Sequence, residues 1–205
     1  MLTSLPNLLT LSRIVAVPIL VGVLYVETPL CRWIACGIFI AAAVTDYFDG
    51  WLARQRAEVS ALGRFLDPIA DKLLVAAVLL MLVAIDAIRD LSLFPALVIL
   101  CREILVSGLR EYLAEIRVAM PVSKLAKWKT MIQMVALGVL IVGEAGPAAI
   151  PVQEIGVVGL WIAGLLTLIT GYDYMQRGLR HMLADEAPGG NSSRKDSNRE
   201  RAGGR

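Results

Sequence analysis

The stretch DYFDGWLARQRAEVSALGRFLDPIAD sets Asp46, Asp49, Asp67 and Asp71 into a chain that is otherwise rich in apolar residues. Asp46 and Asp49 are three positions apart and Asp67 and Asp71 four; on a helix each pair shares one face. Carboxylates crowded in this way repel one another unless cations keep them ionised. The stretch holds no His or Cys, so its donors are hard oxygens, the ligand set of Mg2+ or Mn2+, and two pairs furnish ligands for two ions. Arg54 adds a planar fork matched to phosphate oxygens. Gly50 and Ala53 beside Asp49, and Gly63 one turn before Asp67, leave room for a bulky ligand, although small residues at helical spacing equally serve close helix packing. Metal-assisted chemistry on a phosphate-bearing substrate is one reading of this set. Internal pairing with Arg54, Arg56, Arg64 and Lys72 is a second, and a carboxylate relay in a divalent-cation or proton transporter is a third.

The elements that must carry these acids are apolar. The 205 residues are 57% hydrophobic and 19% charged, with a mean hydropathy of +0.67, where soluble domains are roughly half apolar and about a quarter charged. That balance belongs to a membrane protein. Apolar runs at 14–26, 33–45, 73–85, 91–101, 131–143 and 155–170 predict six helices. Several runs fall short of the ~20 residues that span hydrocarbon, so polar groups complete those crossings at one end.

Depth follows from counting. Thirteen uncharged residues separate Arg32 from Asp46, and thirteen separate Lys72 from Asp86; at ~1.5 Å rise per residue both acidic sets lie ~20 Å from the same outer edge. Arg102 follows Asp90 by twelve positions and Lys129 precedes Glu144 by fifteen, which puts these cations at ~18 to 22 Å by the same rise. Four helices thus bring charge into one layer. A central Asp, Lys or Arg costs ~2.5 to 3.5 kcal/mol in lipid, so that layer lines a wet pocket or neutralises itself.

Arg54, Arg56 and Arg64, then Arg117, Lys124, Lys127 and Lys129, and finally the tail, are basic, whereas the alternate segments hold Arg32 and Arg89. This bias predicts that both termini and the acidic layer are cytoplasmic. The net charge of +2 conceals the asymmetry, which favours anionic headgroups as partners and not nucleic acid. No small-x-small cleavage site follows the first apolar run, so it reads as a retained helix. TSLPNLLTLSR, with Ser4 as a cap candidate and Pro6 just inside, predicts a short amphipathic helix lying on the membrane before the first crossing. Cys31, Cys36 and Cys101 lack metal-type spacing and are expected to be buried free thiols. Trp33 and Trp51 fit interfacial belts. Residues 1–184 form the membrane domain, and 185–205, rich in Gly, Ser, Asn and charge, a disordered polar cytoplasmic tail on which the sequon at Asn191 has no glycosylating partner. No internal repeat is evident.

The acidic stretch satisfies D-x2-D-G-x2-A-R-x8-G-x3-D-x3-D at all eight specified positions, and in this it resembles the CDP-alcohol phosphotransferases. LPNLLTLSR, LDPIADKLLVA, CREILVSGLREYLAE and SKLAKWKTMIQM look like the bacterial branch of that family that makes phosphatidylglycerophosphate, and the likeness runs across most of residues 5–182. The resemblance implies an all-α integral membrane fold of six transmembrane helices with an N-terminal amphipathic interfacial helix, paired as a homodimer. It implies a two-metal centre, Mg2+ or Mn2+, held by Asp46, Asp49, Asp67 and Asp71, with Asp71 as general base. Gly50, Ala53, Arg54 and Gly63 would lie against the CDP moiety and its diphosphate. The reaction implied is transfer of the phosphatidyl group of CDP-diacylglycerol to sn-glycerol 3-phosphate with release of CMP, a step of phospholipid biosynthesis; related enzymes use serine, inositol phosphate or phosphatidylglycerol as acceptor.

A dianionic acceptor needs cations beyond those serving CDP. Arg102, Arg110, Lys127 and Lys129 stand at or near the right level, although Lys127 and Lys129 also fit the positive-inside bias and Arg102 has Glu103 and Glu111 within reach. Asn7, Thr10 and Arg13 fall on one stripe that borders the nucleotide end; snorkelling accounts for Arg13 equally well. Asp173 and Tyr174 border the pocket or cap the bundle, and His181 has no partner in sequence and is assigned no role.

Overall fold

In the computed structural model the backbone is described for residues 5–56, 61–115 and 124–185, with side chains described throughout except at 5–7, 46–56, 61–65, 67–68, 71, 115, 124, 177 and 181–185. The described chain is all helix: α1 (Leu5–Tyr25), α2 (Pro29–Arg56), α3 (Ala61–Ala84), α4 (Leu93–Glu115), α5 (Lys124–Val142) and α6 (Val152–Asp185), with single 3-10 turns at Asp90–Ser92 and Gly143–Ala145. Four helical segments, Leu8–Tyr25, Asp90–Ala114, Leu125–Ala145 and Val152–Arg180, are long and apolar enough to cross a membrane. The apolar parts of the other two, Pro29–Thr45 and Lys72–Ala84, are shorter. They are short because α2 continues past its apolar run through Asp46 to Arg56, and α3 begins at Ala61, well before its own run. The acids of the signature therefore sit on helix and not in a loop.

The short surface helix expected before the first crossing is not a separate element among the described residues: α1 is one helix from Leu5 to Tyr25. Pro6 lies in its first turn, where the missing N–H forfeits no bond, and nothing between Asn7 and Val17 breaks the run. Thr10 and Arg13 are 1% and 2% exposed, while Leu8 and Leu11 face outward. The polar stripe is thus turned into the bundle.

α5 packs most extensively against α6; α1 lies on both α2 and α3, α4 on α6, and α2 on α5. One apolar core runs through them, with Leu20, Leu24, Phe39, Leu82, Ile99, Leu140 and Leu160 nearly or wholly buried. The outward faces are apolar too, as at Leu80, Phe94, Val135 and Leu168, and this is how a bundle solvated by lipid differs from one solvated by water.

Small residues set the closest approach. A Cβ on Gly164, Gly171 or Gly178 of α6 would stand 2.7, 2.9 and 2.7 Å from Pro95, Arg102 and Leu109 of α4. Both series advance by seven residues, so the two helices run parallel along a glycine seam of the small-residue kind that lipid-solvated helices use. On its other side α6 meets α5, where Gly156 and Gly159 abut Leu140 and Ala136.

The cysteines correct an expectation. All three are free, but Cys36 alone is buried, Cys31 is half-buried and Cys101 is exposed; Cys101 lies on an outward face of α4, where an apolar thiol needs no burial because the surroundings are apolar. Trp33 is exposed at the start of α2 and donates its ring N–H to the Ala145 carbonyl at 3.1 Å. Trp51, His181 and the tail lie outside the residues whose side chains are described.

Candidate active site

The helical backbone passes unbroken through Asp46, Asp49, Gly50, Ala53 and Arg54 on α2, and through Gly63, Asp67 and Asp71 on α3. Their side chains, like that of Asn7, lie outside those described. The expected spacing is realised on helix, so each acid pair is one turn apart along its axis. Ala70 and Lys72, on either side of Asp71, are fully buried and half-buried, so this turn of α3 belongs to the packed bundle. The donor chemistry, four carboxylates with no thiolate or imidazole in the stretch, fits hard divalent ions.

The described part of the charged layer is a cluster joining α4, α5 and α6. Glu103 on α4 accepts from the Lys129 ammonium of α5 and from Arg102 Nη1 at 3.3 Å. Lys129 is only 1% exposed along its side chain, and Arg102 13%. Burial of an ammonium to this degree demands a counter-charge, and Glu103 supplies it. Arg102 Nη2 reaches Thr170 Oγ1 on α6 at 3.5 Å, while Thr170 donates to its own Leu166 carbonyl at 2.8 Å. Arg102 Nε is buried and has no partner among the described residues.

Tyr174, one turn beyond Thr170 on α6, is buried with Val106 and Ala126. Its ring centroid lies 5.8 Å from the Arg102 guanidinium carbon and 5.9 Å from that of Arg110. One ring thus braces two cations that stand about two turns apart on α4. The trio Arg102, Glu103 and Lys129 carries a net single positive charge, and Arg110 adds another beside it. Such a group can bind a phosphate from the side of α4.

Of the four cations expected to hold a phosphate, the structure brings together Arg102, Lys129 and Arg110. Lys127 is exposed on α5, two positions and ~200° around the helix from Lys129. Between α3 and α4 a groove of about 440 Å³ is lined by Lys72, Glu103, Ser107 and Glu111 over an apolar floor; Ser107 Oγ donates to Glu111 at 3.3 Å. Glu103 therefore faces both this groove, which begins one residue from Asp71, and the cation cluster behind it. Thr10 and Arg13 enter the bundle from α1, which packs on α2 and α3.

Sequence reasoning named Glu103 only as a competitor for Arg102 and missed its role as the shared counter-charge. Thr170 was not singled out, yet its four-residue spacing from Tyr174 on an otherwise apolar helix marks a polar face. The glycine heptad that lets Arg102 lie on α6 was legible as Gly164, Gly171 and Gly178, but a seven-residue step in glycine alone is easily lost among seventeen glycines.

Residues 3–169 match the CDP-alcohol phosphatidyltransferase family. The chain is 47% identical over 173 residues, 84% of its own length and 94% of the relative's, to the CDP-diacylglycerol–glycerol-3-phosphate 3-phosphatidyltransferase of Rickettsia bellii. It is 38% identical over 219 residues, 89% of this chain and 98% of the relative, to the protein of the same name from Cereibacter sphaeroides. It is also 38% identical over 195 residues, 89% of this chain and 59% of the relative, to a cardiolipin synthase (CMP-forming) of Oryza sativa.

Proposed function

The chain belongs to the CDP-alcohol phosphatidyltransferase family, and from that membership we propose that it is an integral membrane enzyme transferring the phosphatidyl group of CDP-diacylglycerol to sn-glycerol 3-phosphate, with phosphatidylglycerophosphate and CMP as products. The observation that carries this reading is the 47% identity to the Rickettsia bellii phosphatidyltransferase across 94% of that protein. The cation cluster of α4 and α5 supports a phosphorylated acceptor.

Asp46, Asp49, Asp67 and Asp71 would hold two divalent ions, Mg2+ or Mn2+, which when bound neutralise the diphosphate oxygens and ease departure of CMP. Gly50, Ala53 and Gly63 keep the two helix surfaces low so that the nucleotide approaches closely, and Arg54 pairs with the diphosphate. Asp71 takes the proton from the acceptor hydroxyl as that oxygen bonds to the lipid-linked phosphorus and the bond from phosphorus to CMP breaks. Arg102, Arg110, Lys127 and Lys129 hold the acceptor phosphate and so aim its hydroxyl. Asn7, Thr10 and Arg13 border the nucleotide end.

The setting follows from the substrates. Acyl chains stay in lipid while nucleotide and glycerol phosphate come from water, so the polar halves of α2 and α3 complete six crossings at the cytoplasmic interface of a bacterial inner membrane. The first turns of α1 lie at that interface, residues 185–205 form a cytoplasmic tail behind the catalytic domain 1–184, and the enzyme works as a homodimer.

The test is CMP release by the purified protein supplied with CDP-diacylglycerol and, in turn, glycerol 3-phosphate, serine, inositol phosphate or phosphatidylglycerol. Glycerol 3-phosphate alone should drive release. Release driven by phosphatidylglycerol instead would overturn the acceptor assignment.

A further inference from the structure

At the end of the bundle opposite the signature acids, α2 begins with a buried arginine that has no ion pair among the described residues. Arg32 is 9% exposed. Among the described residues its guanidinium makes no hydrogen bond or ion pair, and the acids of this end, Glu27, Asp86, Asp90, Glu144 and Glu154, are all exposed. Where the guanidinium goes is fixed by Gly143: a Cβ there would stand 3.0 Å from Arg32 Nη1 and 2.9 Å from Gln153 Oε1. Gly143 has φ +45, so it is a glycine for both its backbone and its neighbours. Gln153 Nε2 donates to the Ala87 carbonyl at 2.6 Å, but its Oε1 is buried with no partner among the described residues. One guanidinium nitrogen and one amide oxygen thus flank Gly143, and the buried oxygen, without a partner among the described residues, calls for a ligand.

An apolar groove starts beside them. It lies between α2 and α5, holds about 700 Å³, and runs from Trp33 and Val142 at this end past Cys36 and Gly138 to Val44. The eleven steps from Trp33 to Val44 rise ~16 Å along α2, close to half of the ~30 Å hydrocarbon layer. A groove one leaflet deep suits an acyl chain; a helix of a second copy would need the full thickness. Arg32 and Gln153 each stand one residue from the groove-lining Trp33 and Val152, so the charge next to this end favours an anionic headgroup, and the Gln153 oxygen favours one that also carries a hydroxyl or ammonium donor.

We propose that Arg32, Gln153 and the α2–α5 groove form a binding site for a phospholipid of the leaflet opposite the catalytic layer, with the lipid phosphate on Arg32, a headgroup hydroxyl or ammonium on Gln153, and an acyl chain between the helices. Arg32 and Gln153 stand at the end of the bundle away from the four signature acids, and the proposal does not rest on the acceptor assignment.

The test is native mass spectrometry and thermal unfolding of delipidated protein titrated with phosphatidylglycerol, phosphatidylcholine, diacylglycerol or inorganic phosphate. Phosphatidylglycerol should give one tight adduct and raise the unfolding temperature. Phosphatidylcholine, which lacks the donor, should bind more weakly, and diacylglycerol and phosphate should have no effect. Loss of a charge-assisted hydrogen bond in Arg32→Gln should weaken the adduct about tenfold, and Gly138→Leu, which fills the groove and leaves Arg32 in place, should do the same. Asp71→Asn should keep it. Undiminished binding in both Arg32→Gln and Gly138→Leu overturns the proposal, as does loss of the adduct in Asp71→Asn or stabilisation by phosphate alone.

Discussion

Arg102 reaches the site by lying across Gly171: a Cβ on that glycine would stand 2.9 Å from Arg102 Cγ and 3.7 Å from its Nε. The cation is positioned by an absence of side chain on the neighbouring helix. Gly171→Ala should therefore displace the arginine stem and raise KM for glycerol 3-phosphate about tenfold, with little change in KM for CDP-diacylglycerol. Stability should barely move, because the ~1 kcal/mol gained by replacing a helical glycine offsets the crowding of a flexible chain. Gly164→Ala is the contrast. Its Cβ would stand 2.7 Å from Pro95 Cβ and 3.1 Å from Pro95 Cα, atoms that cannot swing aside, so it should cost ~1 to 3 kcal/mol in overpacking and leave the acceptor KM alone. Equal KM effects from the two variants would mean that the seam matters for packing only.

The pair Glu103 and Lys129 makes a second separable prediction. Lys129 is 1% exposed, so Glu103→Ala takes a carboxylate away from a nearly buried ammonium and should lower the unfolding midpoint in detergent. If the two side chains depend on each other, Glu103→Ala with Lys129→Met should be more stable than the sum of the two single losses implies. A double variant whose loss equals that sum would show that the two side chains do not depend on each other.

Arg110 and Lys127 divide the acceptor cations by setting. Arg110 stands over the Tyr174 ring at 5.9 Å, whereas Lys127 is exposed without being part of the described cluster. Arg110→Ala should raise KM for glycerol 3-phosphate at least about tenfold, the worth of one charge-assisted hydrogen bond to phosphate. Lys127→Ala should have the smaller effect, because a solvated lysine contributes less than a braced guanidinium. Steady-state kinetics with each substrate varied in turn decides the point; a rise in KM for CDP-diacylglycerol of the same size removes the acceptor role.

Much of this arrangement was legible in the residues, for a physical reason. Apolar runs and their charged ends are dictated by what lipid tolerates, so counting from Arg32, Asp90 and Glu144 put Arg102 and Lys129 at one depth, and the fold brings them to a single carboxylate. What was hidden depended on which neighbour each helix meets. Nothing local to α1 says that Thr10 and Arg13 turn inward, because an amphipathic stripe looks the same whether its polar face meets water or other helices. Cys101 was expected to be buried by a rule learned from proteins in water, and on a lipid-facing helix that rule loses its force. The glycine seam joins residues about seventy positions apart and becomes visible only when α4 and α6 are seen side by side.

Asp71 carries the proposed proton transfer. Asp71→Asn keeps the size and hydrogen-bonding capacity of the side chain but cannot accept a proton, so turnover should fall by about 10² to 10⁴ while the unfolding midpoint stays within about a degree of wild type. A carboxylate acts as a base only when ionised. The wild-type rate should therefore fall as acid protonates it and level off towards neutral pH, whereas the residual rate of Asp71→Asn should lack that acid limb. Retention of full turnover by the asparagine variant would assign the base elsewhere.

Removal of divalent ions should separate chemistry from fold. The core through Leu20, Phe39, Leu82, Ile99, Leu140 and Leu160 is apolar and draws on all six described helices; none of these contacts needs an ion. A chelator should thus abolish CMP release and leave helix content and the unfolding midpoint nearly unchanged. Mg2+ or Mn2+ should restore activity, and Ca2+, with its longer and less regular oxygen shell, should restore it poorly. Asp46→Asn removes one negative donor and should raise the Mg2+ concentration for half-maximal rate by about tenfold or more, a shift that excess Mg2+ partly reverses. A variant whose metal requirement matches wild type would take Asp46 out of the ligand set, and unfolding on chelation would recast the acids as a structural clasp between α2 and α3.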